Sequence, residues 1–367
     1  MLKIIFIVIL VIISLLVIYI LVNRNHWKNT DSIKLLEDLD KKIKNSNRES
    51  IILIEDLSGD KKHLSANNIR PSDKIIIASI TKLYTHAVIY AMSDRGLIDL
   101  NKPISEYLPD EYWTKLHKLK GSDYSGKIRV VDLINQTSGL PDYEMDIKGD
   151  NSVVKRLRKE DFVLTEDDAI MLTKSLEAKF VPGENKAHYS NVNAILLGLI
   201  AEKISHKSLI ELYKEYIFIP LGLENTELIT RSNHVLPFIN KDKADRIKYI
   251  SSALACGGLV STVDEMMIFI KSFYKGEIFS KTNIENINFY NIQFFPVKYG
   301  GGMMSVEMSP LLSPIVEAPK ILGHSGLTGS FSFYCQEKEL FIVGTVNKYE
   351  ENPFKWIYLY LNAMDAN

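Results

Sequence analysis

The hydrophobic pattern changes its period along the chain, and the order of these changes restricts the possible folds. Residues 51–66 read as strand, Ser-Gly-Asp turn and strand, which predicts a β-hairpin. Helical spacing dominates from about 79 to 290. Strand patterns return at 298–306, 329–335 and 339–346, and a last helix is predicted over 354–364. The economical architecture is an α+β fold, an α/β sandwich, whose antiparallel sheet joins N- and C-terminal segments around a large all-helical insertion.

An uncharged apolar run precedes this domain. Residues 4–22 contain no charged side chain, and only Ser14 is clearly polar. A helix of that length spans about 29 Å, roughly the hydrocarbon thickness of a bilayer. The following YILVNRNHW offers no small-residue cleavage site, so we predict an uncleaved transmembrane signal anchor over 1–22, with a cleaved signal peptide as the alternative. Basic residues flank the run on both sides, so charge alone leaves the orientation open.

The remaining chain divides into a short connecting part and one large domain. Residues 23–47 are interpreted as a polar tether followed by an amphipathic helix, in which Ile33, Leu36, Leu39 and Ile43 recur at helical steps. Residues 48–365 form the main domain, with a sheet part at about 48–78 and 291–365 and a helical part at about 79–290.

Charge and cysteine usage exclude several classes of function. Lysine and arginine total 44 against 45 acidic residues, and no Lys/Arg-rich block appears, so no nucleic-acid partner is expected. Cys256 and Cys335 lie in apolar segments and are predicted to be buried thiols, with a disulfide between them as the alternative. Neither the cysteines nor the eight histidines show metal-ligand spacing, so no metal site is expected.

A serine and a lysine three residues apart open the first long helical stretch, in IIIASITKLYTH (75–86). If a helix begins near Ser79, Lys82 lies one turn later on the same face and can reach the serine hydroxyl. Burial would lower the pKa of the lysine and make it a base for a serine nucleophile. The same spacing recurs at Ser58/Lys61, Ser152/Lys155 and Ser272/Lys275. The pair at Ser79 is favoured because a strand-like run delivers it to a helix start.

Two further motifs follow along the chain. Tyr189-Ser190-Asn191 begins a helical stretch and combines a proton carrier with an amide that can bind a substrate amide. His324-Ser325-Gly326 precedes a strand, where glycine permits close approach of a substrate backbone. The competing motifs are Tyr360/Asn362 inside the last helix and Lys298-Tyr299-Gly300 beside a bulged or twisted strand.

Some nearby polar residues also admit a structural interpretation. Asp142 and Tyr143 could line a cleft, yet a Pro-Asp turn explains them equally well. His86 follows Ser79 on the same helix and is interpreted as a packing residue.

In order, S-x-x-K, Y-x-N and H-S-G resemble the motif triplet of the serine β-lactamase and penicillin-binding-protein superfamily. VDLINQTSGLPDY (131–143) is similar to that family's LLxHTSGLP signature. NKPISEYLPD (101–110) and CGGLVSTVDEMMIF (256–269) resemble segments typical of its class C branch. The resemblance covers roughly residues 48–365, nearly everything outside the anchor and tether.

The resemblance implies a role for each motif residue. Ser79 would be the acylated nucleophile, Lys82 its general base or proton relay, and Tyr189 a base in acylation and deacylation. Substrate would be bound by the side chain of Asn191, by His324 and Ser325 beside its carboxylate, and at Gly326. The backbone N–H groups of Ser79 and Leu327 would form the oxyanion hole. No metal or organic cofactor is implied.

The chain also departs from the family pattern. No segment can be assigned to the glutamate-bearing loop of class A enzymes. The third motif carries histidine where most β-lactamases carry lysine, and H-[TS]-G is similar to certain D,D-peptidases and esterases of the group. Because an unperturbed histidine has a pKa near 6.5, we hypothesise that a carboxylate-bearing substrate binds progressively worse above about pH 7.

The resulting functional hypothesis is a membrane-anchored serine acyl-transfer hydrolase. It would form an acyl-enzyme at Ser79 from D-alanyl amides, esters or β-lactams; motifs alone do not separate D,D-peptidase, esterase and β-lactamase. Its partners would be a small-molecule or peptide substrate, including cell-wall fragments, and a lipid bilayer through residues 4–22. We expect a single-pass protein of the cell membrane with an extracytoplasmic catalytic domain. The alternative is a non-hydrolytic sensor or scaffold that binds penicillin or cell-wall fragments.

Overall fold

The computed structural model describes residues 2–46, 48–150, 152–230, 234–239, 242–243 and 246–365. Its α-helices are α1 (Leu2–Asn29), α2 (Ser32–Lys44), α3 (Thr81–Asp94), α4 (Asp110–Trp113), α5 (Val130–Ile134), α6 (Val153–Lys159), α7 (Glu166–Lys174), α8 (Asn191–Ser205), α9 (Leu209–Tyr213), α10 (Ile219–Leu221), α11 (Ile247–Ser252), α12 (Leu254–Gly257), α13 (Val263–Lys275) and α14 (Phe354–Asp365). Short 3-10 turns lie at Ala78–Ile80, Ile104–Glu106, Ser125–Lys127 and Lys281–Ile284, and a π-helical segment, Lys214–Phe218, continues α9.

The strands concentrate near the two ends of the chain. They are β1 (Ser50–Asp56), β2 (Lys62–Asn67), β3 (Lys74–Ile76), β4 (Lys118–Leu119), β5 (Ser122–Asp123), β6 (Glu227–Leu228), β7 (His234–Val235), β8 (Phe238–Ile239), β9 (Asp242–Lys243), β10 (Leu259–Ser261), β11 (Tyr290–Asn291), β12 (Lys298–Gly300), β13 (Met303–Val306), β14 (Ile321–Ser325), β15 (Ser330–Cys335) and β16 (Leu340–Thr345).

One eight-stranded sheet organises the domain, in the order β11-β12-β13-β14-β15-β16-β1-β2. Every neighbouring pair in it is antiparallel. The first and last strands of the chain, β1 and β16, pair with each other near one edge of the sheet, where Ile51 lies opposite Thr345 and Asp56 opposite Leu340. The predicted antiparallel sheet assembled from both ends of the chain is therefore confirmed.

Both faces of this sheet are covered, and the alternation of side chains along each strand explains why. In β1, Ile51 and Leu53 join the core shared with the helical part, whereas Ile52 and Ile54 join the core beneath α2 and α14. Successive side chains of a strand point to opposite faces, so the run of isoleucine and leucine is what a strand buried on both sides requires.

The helical part packs around two central helices, α3 and α8, which contact each other. Both are buried on nearly all sides, which agrees with their apolar composition. The middle of the chain is not wholly helical, however. A second sheet of order β6-β10-β3-β7 and the small pair β4-β5 lie partly within it. The large insertion is thus mainly helical rather than all-helical. Its strand β10 pairs with β3, which lies just before Ser79 in the chain.

The N-terminal segments also differ in detail from the prediction. Helix α1 runs through Asn29, so residues 23–29 continue the helix instead of forming a separate coil. The following α2 is capped by Asp31, whose carboxylate accepts a hydrogen bond from Lys34 N at 3.0 Å. Its buried face carries Leu35, Leu39 and Ile43, while Ile33 points to solvent.

Helix α1 is long and apolar enough to cross a membrane by length and composition, over Ile5–Asn29. Its large apolar side chains from Ile5 to Val22 are mostly exposed. Cys256 and Cys335 are free, buried thiols, as predicted.

Candidate active site

Ser79 is delivered to the site by a sharp change of backbone direction. Strand β3 ends at Ile76, and Ala78 then adopts a left-handed conformation with φ 44°. The chain continues into the 3-10 turn that carries Ser79, and α3 begins at Thr81. A non-glycine residue in that region is uncommon and marks a locally constrained backbone. Ser79 therefore lies at the mouth of a buried helix, as the sequence indicated.

Lys82 contacts Ser79 directly. Its Nζ donates to Ser79 Oγ at 3.0 Å and to the Cys256 carbonyl at 2.7 Å. The side chain is 0% exposed. Burial lowers the pKa of Lys82, while the acidic groups around it act in the opposite direction. A buried amine with a lowered pKa can accept the proton of a serine hydroxyl.

Tyr189 is held against the same pair. Lys82 Nζ lies 5.1 Å from the centre of its ring. Gln293 clamps the backbone of Tyr189: the Tyr189 N–H donates to Gln293 Oε1 and Gln293 Nε2 donates to the Tyr189 carbonyl, both at 2.8 Å. Burial raises the pKa of Tyr189 well above its usual value, although the Ser79 hydroxyl acts against this. The phenol is consequently protonated at neutral pH.

One side of Ser79 carries two buried carboxylates, and we call Asp142, Glu144 and Asn191 the acidic flank. Asn191 Nδ2 donates to Glu144 Oε2 at 2.7 Å, and Asn191 N donates to Asp142 Oδ2 at 2.6 Å. Asp142 Oδ1 accepts from Glu144 N at 3.0 Å and from Met145 N at 2.7 Å. Asp142 therefore accepts hydrogen bonds both within the Pro-Asp turn and from the first residue of α8.

The acidic flank has unusual electrostatics. Burial, and then the charge of Asp142, raise the pKa of Glu144 to about 7. Burial also raises the pKa of Asp142. The two carboxylates share one desolvated region, so ionising both is unfavourable unless a cation is near. Lys82, when protonated, lowers the pKa of both of them.

The opposite side consists of Ser325, Gly326 and Leu327, at the end of β14 and in the turn that follows, and we call it the strand flank. A Cβ at Gly326 would lie 2.6 Å from the Ile77 carbonyl and closer still to Ser330 Oγ. Only glycine allows this turn to approach the nucleophile so closely. Two hydroxyls fix it there: Thr328 Oγ1 donates to the Ile76 carbonyl at 2.8 Å and Ser330 Oγ to the Ile77 carbonyl at 2.9 Å.

Two backbone N–H groups point to an oxyanion hole. Among the described residues, neither Ser79 N nor Leu327 N donates to a protein acceptor. Both residues line the same cavity. Buried or cleft-facing N–H groups are seldom left unpaired, so this pair is available to a substrate oxygen.

His324 occupies a different position from the one its motif suggested. The side chain is buried, and its Nδ1 donates to the Ser325 carbonyl at 2.8 Å. Its Nε2 has no hydrogen-bond partner among the residues that the structure describes. Burial, and then Lys82, lower the pKa of His324 well below its usual value. The ring is therefore neutral at physiological pH and does not line the cavity; direct contact with substrate stays a prediction.

Two cavities meet at Ser79. The larger has a volume of about 240 Å³ and is lined by Tyr189, by Asn191, by the strand flank and by the apolar side chains Phe294, Phe295, Val297, Met304 and Phe354. The smaller, of about 60 Å³, lies deeper. Glu144, Asn191 and Leu327 line both of them. A substrate that reacts at Ser79 can thus extend in two directions.

The other motif matches have structural roles. Ser58 lies exposed in the β1–β2 turn, Ser152 caps α6, and Ser272 donates to Glu277 at 2.6 Å. The competing Tyr360/Asn362 lies inside α14, and Lys298-Tyr299-Gly300 is β12. His86 is fully buried one turn beyond Lys82, and burial lowers its pKa to about 3.

The structure brings together Ser79, Lys82, Tyr189, Asn191 and the strand flank. Sequence reasoning did not single out Glu144 or Gln293. Glu144 directly follows the recognisable LPDY, but a single acidic residue after a turn normally indicates solvent exposure. Gln293 reaches Tyr189 from a distant segment, and no sequence signal could have identified it.

The Ser–Lys–Tyr cluster beside an antiparallel sheet, with helices on both faces, defines a protein of the serine β-lactamase and penicillin-binding-protein fold. The sequence model of the family described as Beta-lactamase matches residues 57–361, so the chain belongs to that family. The predicted family and fold class are therefore confirmed, and the predicted serine hydrolase agrees with the relatives that follow.

Similar proteins include a penicillin-binding protein of Bacillus subtilis (strain 168), 24% identical over 68% of this chain and 54% of that protein. The D-alanyl-D-alanine-carboxypeptidase/endopeptidase AmpH of Escherichia coli (strain K12) is 27% identical over 59% of this chain and 54% of its own length. The matched part thus spans about half the length of these relatives. The D-amino acid amidase of Ochrobactrum anthropi SV3 superposes with a TM-score of 0.72 at 19% identity, covering 90% of this chain and 98% of the amidase, which establishes the fold alone.

Proposed function

We propose that the protein is a serine acyl-transfer hydrolase that forms an acyl-enzyme at Ser79. The observation that carries this proposal is the 3.0 Å contact between Ser79 Oγ and the Nζ of the fully buried Lys82. A buried lysine that forms no ion pair contributes little to stability. Beside a serine hydroxyl, however, the deprotonated amine of such a lysine can act as a base. Ser79 lines a cavity large enough for a small substrate.

The acylation step follows from this contact. Lys82 accepts the Ser79 hydroxyl proton while Ser79 Oγ forms a bond to the substrate carbonyl carbon. The carbonyl oxygen becomes negative and receives hydrogen bonds from Ser79 N and Leu327 N, an arrangement whose loss typically costs about 10²–10³ in rate. The bond to the leaving nitrogen or oxygen then breaks, and that atom takes up the proton.

Tyr189 is placed to carry this proton. Its pKa is raised by burial, so it enters the reaction as a neutral phenol that donates a proton and is re-protonated through Lys82. In the second half of the reaction, water adds to the acyl carbon, Tyr189 or Lys82 accepts a water proton, and Ser79 Oγ leaves with a proton. The site residues act without a metal or an organic cofactor.

The substrates proposed are D-alanyl amides, esters or β-lactams. The relatives named above are a penicillin-binding protein and a D-alanyl-D-alanine-carboxypeptidase/endopeptidase, and the solved structure is a D-amino acid amidase. These names support acyl transfer from amides. The apolar wall of the larger cavity supports a substrate with an uncharged, bulky portion.

A membrane location is also part of the proposal. Helix α1 would span the bilayer through residues 4–22, and the domain would lie outside the cytoplasm, where cell-wall fragments are found. The supporting observation is the exposed apolar surface of α1, which in a globular part of the protein would be packed against a core. Fractionation of cells, with alkaline carbonate extraction and protease accessibility of the intact cells, tests both parts.

The catalytic proposal is tested with the full chain in detergent. We expect p-nitrophenyl acetate to be hydrolysed and a fluorescent penicillin or a D-Ala-D-Ala peptide to acylate the peptide that contains Ser79, as measured by mass spectrometry. Ser79→Ala should reduce turnover by about 10³-fold or more and abolish the adduct. Ser58→Ala, in the exposed serine-lysine pair of the β1–β2 turn, is the matched control and should change neither.

The outcomes separate the alternatives. A stable adduct at Ser79 without turnover of any substrate would indicate the non-hydrolytic sensor. Absence of both adduct and turnover in a folded protein would overturn the acyl-transfer proposal for these substrates. Turnover that persists in Ser79→Ala would place the reaction elsewhere.

A further inference from the structure

An exposed apolar segment lies in the main domain, in the connection between β13 and β14. Residues 308–316 read MSPLLSPIV and contain no charged side chain, and we call them the leucine loop. At its tip Leu311 is 88% exposed and Leu312 is 48% exposed. Two adjacent leucines that face solvent within an uncharged segment form an apolar patch, and such patches mark contacts with partners or membranes.

The leucine loop is held in this shape by its own contacts. Met308 N donates to the Ala318 carbonyl at 3.1 Å and closes the base of the loop. Nearer the tip, Ser313 N donates to the Ser309 carbonyl at 3.0 Å. Met308 and Val316 pack against the core beneath α2 and α14. The exposed leucines therefore belong to an ordered turn whose inward-facing positions are taken by other side chains.

The last turn of α14 connects the leucine loop to the end of α1. Asn362 Nδ2 donates to the Glu317 carbonyl at 2.7 Å, which holds the C-terminal side of the loop. Ser32 Oγ, at the start of α2, donates to the Ala363 carbonyl at 2.7 Å. Positions 362 and 363 are neighbours, and α1 ends at Asn29, shortly before Ser32. The loop and the end of α1 therefore lie at the same end of the domain.

The contact between α1 and the domain sets the height of that end above a bilayer. Trp27 packs against the same core as the leucine loop. Ile20, Asn23 and Trp27 are less exposed than their neighbours in α1, and their spacing puts them on one helix face. Trp27 lies about 7–8 Å along the helix axis beyond Val22, the end of the apolar run, and this distance is within the headgroup layer. When α1 spans the bilayer, the adjoining surface of the domain therefore lies at the lipid surface.

We propose that the leucine loop is a second membrane contact, in which Leu311 and Leu312 insert at the boundary between lipid headgroups and acyl chains beside α1. This inference rests on the membrane location proposed above. Segments that bind a membrane surface bury their apolar side chains about 5–10 Å into that boundary. The bilayer would then hold the domain at two points, so the domain would not turn freely about α1.

The charges near the leucine loop permit this insertion. The carboxylates of Glu307 and Glu317 flank the uncharged segment and lie outside it. Lys338 Nζ lies 3.9 Å from the Glu317 carboxylate and 2.7 Å from that of Asp365, so charge at the base of the loop is partly paired. The tip can consequently leave water without desolvating an ionised group, which is the main cost of placing a side chain in lipid.

A domain fixed in this way would also fix its active site. Phe354, the first residue of α14, lines the larger cavity beside Ser79. Ala363, next to the residue that holds the leucine loop, lies about 14 Å further along the axis of the same helix. An orientation set at one end of α14 therefore sets the position of the cavity entrance relative to the lipid surface. Substrates that stay close to the bilayer would then meet the entrance in one orientation.

The test uses a fluorescent label on the full chain in phosphatidylcholine vesicles. Cys256 and Cys335 are buried, so an NBD maleimide reacts with a single cysteine introduced at the surface. The labelled proteins are Leu311→Cys in the loop, Ile13→Cys in the middle of the apolar run of α1, and Ile219→Cys. Ile219 is the matched control, an apolar side chain that is 76% exposed on α10 in the helical part. Each protein is measured with a lipid spin label placed either near the headgroup or near the end of the acyl chain.

We expect the label at 311 to be quenched at least about twofold more by the spin label near the headgroup than by the deeper one, as an interfacial position requires. The label at 13 should show the reverse order, and the label at 219 should be quenched by neither. Leu312→Asp, added to the Leu311→Cys protein, should reduce the quenching at 311 at least about twofold, because a carboxylate resists transfer into lipid. Ile219→Asp in the same labelled protein is the control and should leave the quenching unchanged.

The outcomes separate the loop from the anchor. Quenching at 13 without quenching at 311 overturns the second contact, while α1 still spans the bilayer. Blue-shifted emission at 311 without quenching also overturns it, since another protein surface, such as a second copy of this chain, would then cover the loop. Quenching at 311 that Leu312→Asp leaves unchanged overturns insertion by the leucines. If neither 13 nor 311 is quenched in proteins whose melting temperatures show them to be folded, the membrane location fails, and the second contact fails with it.

Discussion

The two flanks of Ser79 differ in what they can offer a substrate. The strand flank (Ser325, Gly326 and Leu327) presents backbone groups and one hydroxyl at a fixed distance from the nucleophile, while the acidic flank (Asp142, Glu144 and Asn191) presents charge. The family motif directs attention to the strand flank, because it contains H-S-G. In this protein the histidine is buried and neutral, whereas the buried carboxylates of Asp142 and Glu144 lie on the acidic flank. A site can therefore keep its motif while its electrostatics differ from what the motif implies.

The largest effect on activity should come from replacing Lys82, which contacts the nucleophile Ser79 directly. Lys82→Met removes the base and the Ser79 contact while roughly preserving volume, so kcat for p-nitrophenyl acetate should fall by about 10³-fold, within the range typical of general bases. The control is Lys61→Met, in the exposed Ser58/Lys61 pair, which should be indistinguishable from wild type. A Lys82→Met protein within tenfold of wild type would remove lysine from the mechanism.

A smaller effect is expected where the strand flank approaches the nucleophile. In Gly326→Ala the new Cβ meets the Ile77 carbonyl, a backbone atom that cannot rotate away. We expect a destabilisation of about 2 kcal/mol, or roughly 2–4 °C in melting temperature, together with loss of acylation. Gly126→Ala is the matched control, since its nearest neighbour is Trp113 at 3.9 Å. Equal melting temperatures for the two variants would show that the strand flank can accommodate a Cβ at position 326.

The smallest effect should distinguish the flanks by pH. Burial raises the pKa of Glu144 to about 7, so its carboxylate ionises between pH 5.5 and 8.5. Glu144→Gln should therefore remove one titration from the pH profile of kcat/KM for p-nitrophenyl acetate, and the normalised profiles of the two proteins should differ by about twofold near pH 7. Comparing the two proteins cancels the titration of Lys82, which both retain.

The strand flank should show no such dependence. Burial and Lys82 lower the pKa of His324, so the ring stays neutral from pH 5.5 to 8.5 and KM for a carboxylate-bearing substrate should be flat over that interval. A KM that worsens above pH 7 would support a charged His324. Identical pH profiles for Glu144→Gln and the wild type would instead show that Glu144 does not titrate in this interval.

Much of this site could be predicted from local sequence. Ser79 and Lys82 are one helical turn apart, so their contact follows from helix geometry once the helix start is recognised. The glycine at 326 and the hairpin at 51–66 follow from local backbone rules in the same way. The prediction of the buried face of α2 was wrong in part, since Leu35 is buried and Ile33 is not. Packing against α14 decides which face is buried, and that contact is not local in sequence.

The electrostatic character of the site could not be predicted in this way. Glu144 and His324 have ordinary sequence contexts, and only the segments folded over them make one a carboxyl with a pKa of about 7 and the other a neutral ring. The clamp of Gln293 on Tyr189 likewise joins residues from distant parts of the chain.

The sequence by itself determined the strands at the two chain ends, the sheet that they build, the main helices between them and the spacing of the nucleophile and its base. These depend on interactions between residues a few positions apart or on the period of the hydrophobic pattern. The tertiary structure alone decided which groups at the site lose contact with water. Because desolvation and neighbouring charges set a pKa, and both come from non-local packing, the charge of each flank appears only when the chain is folded.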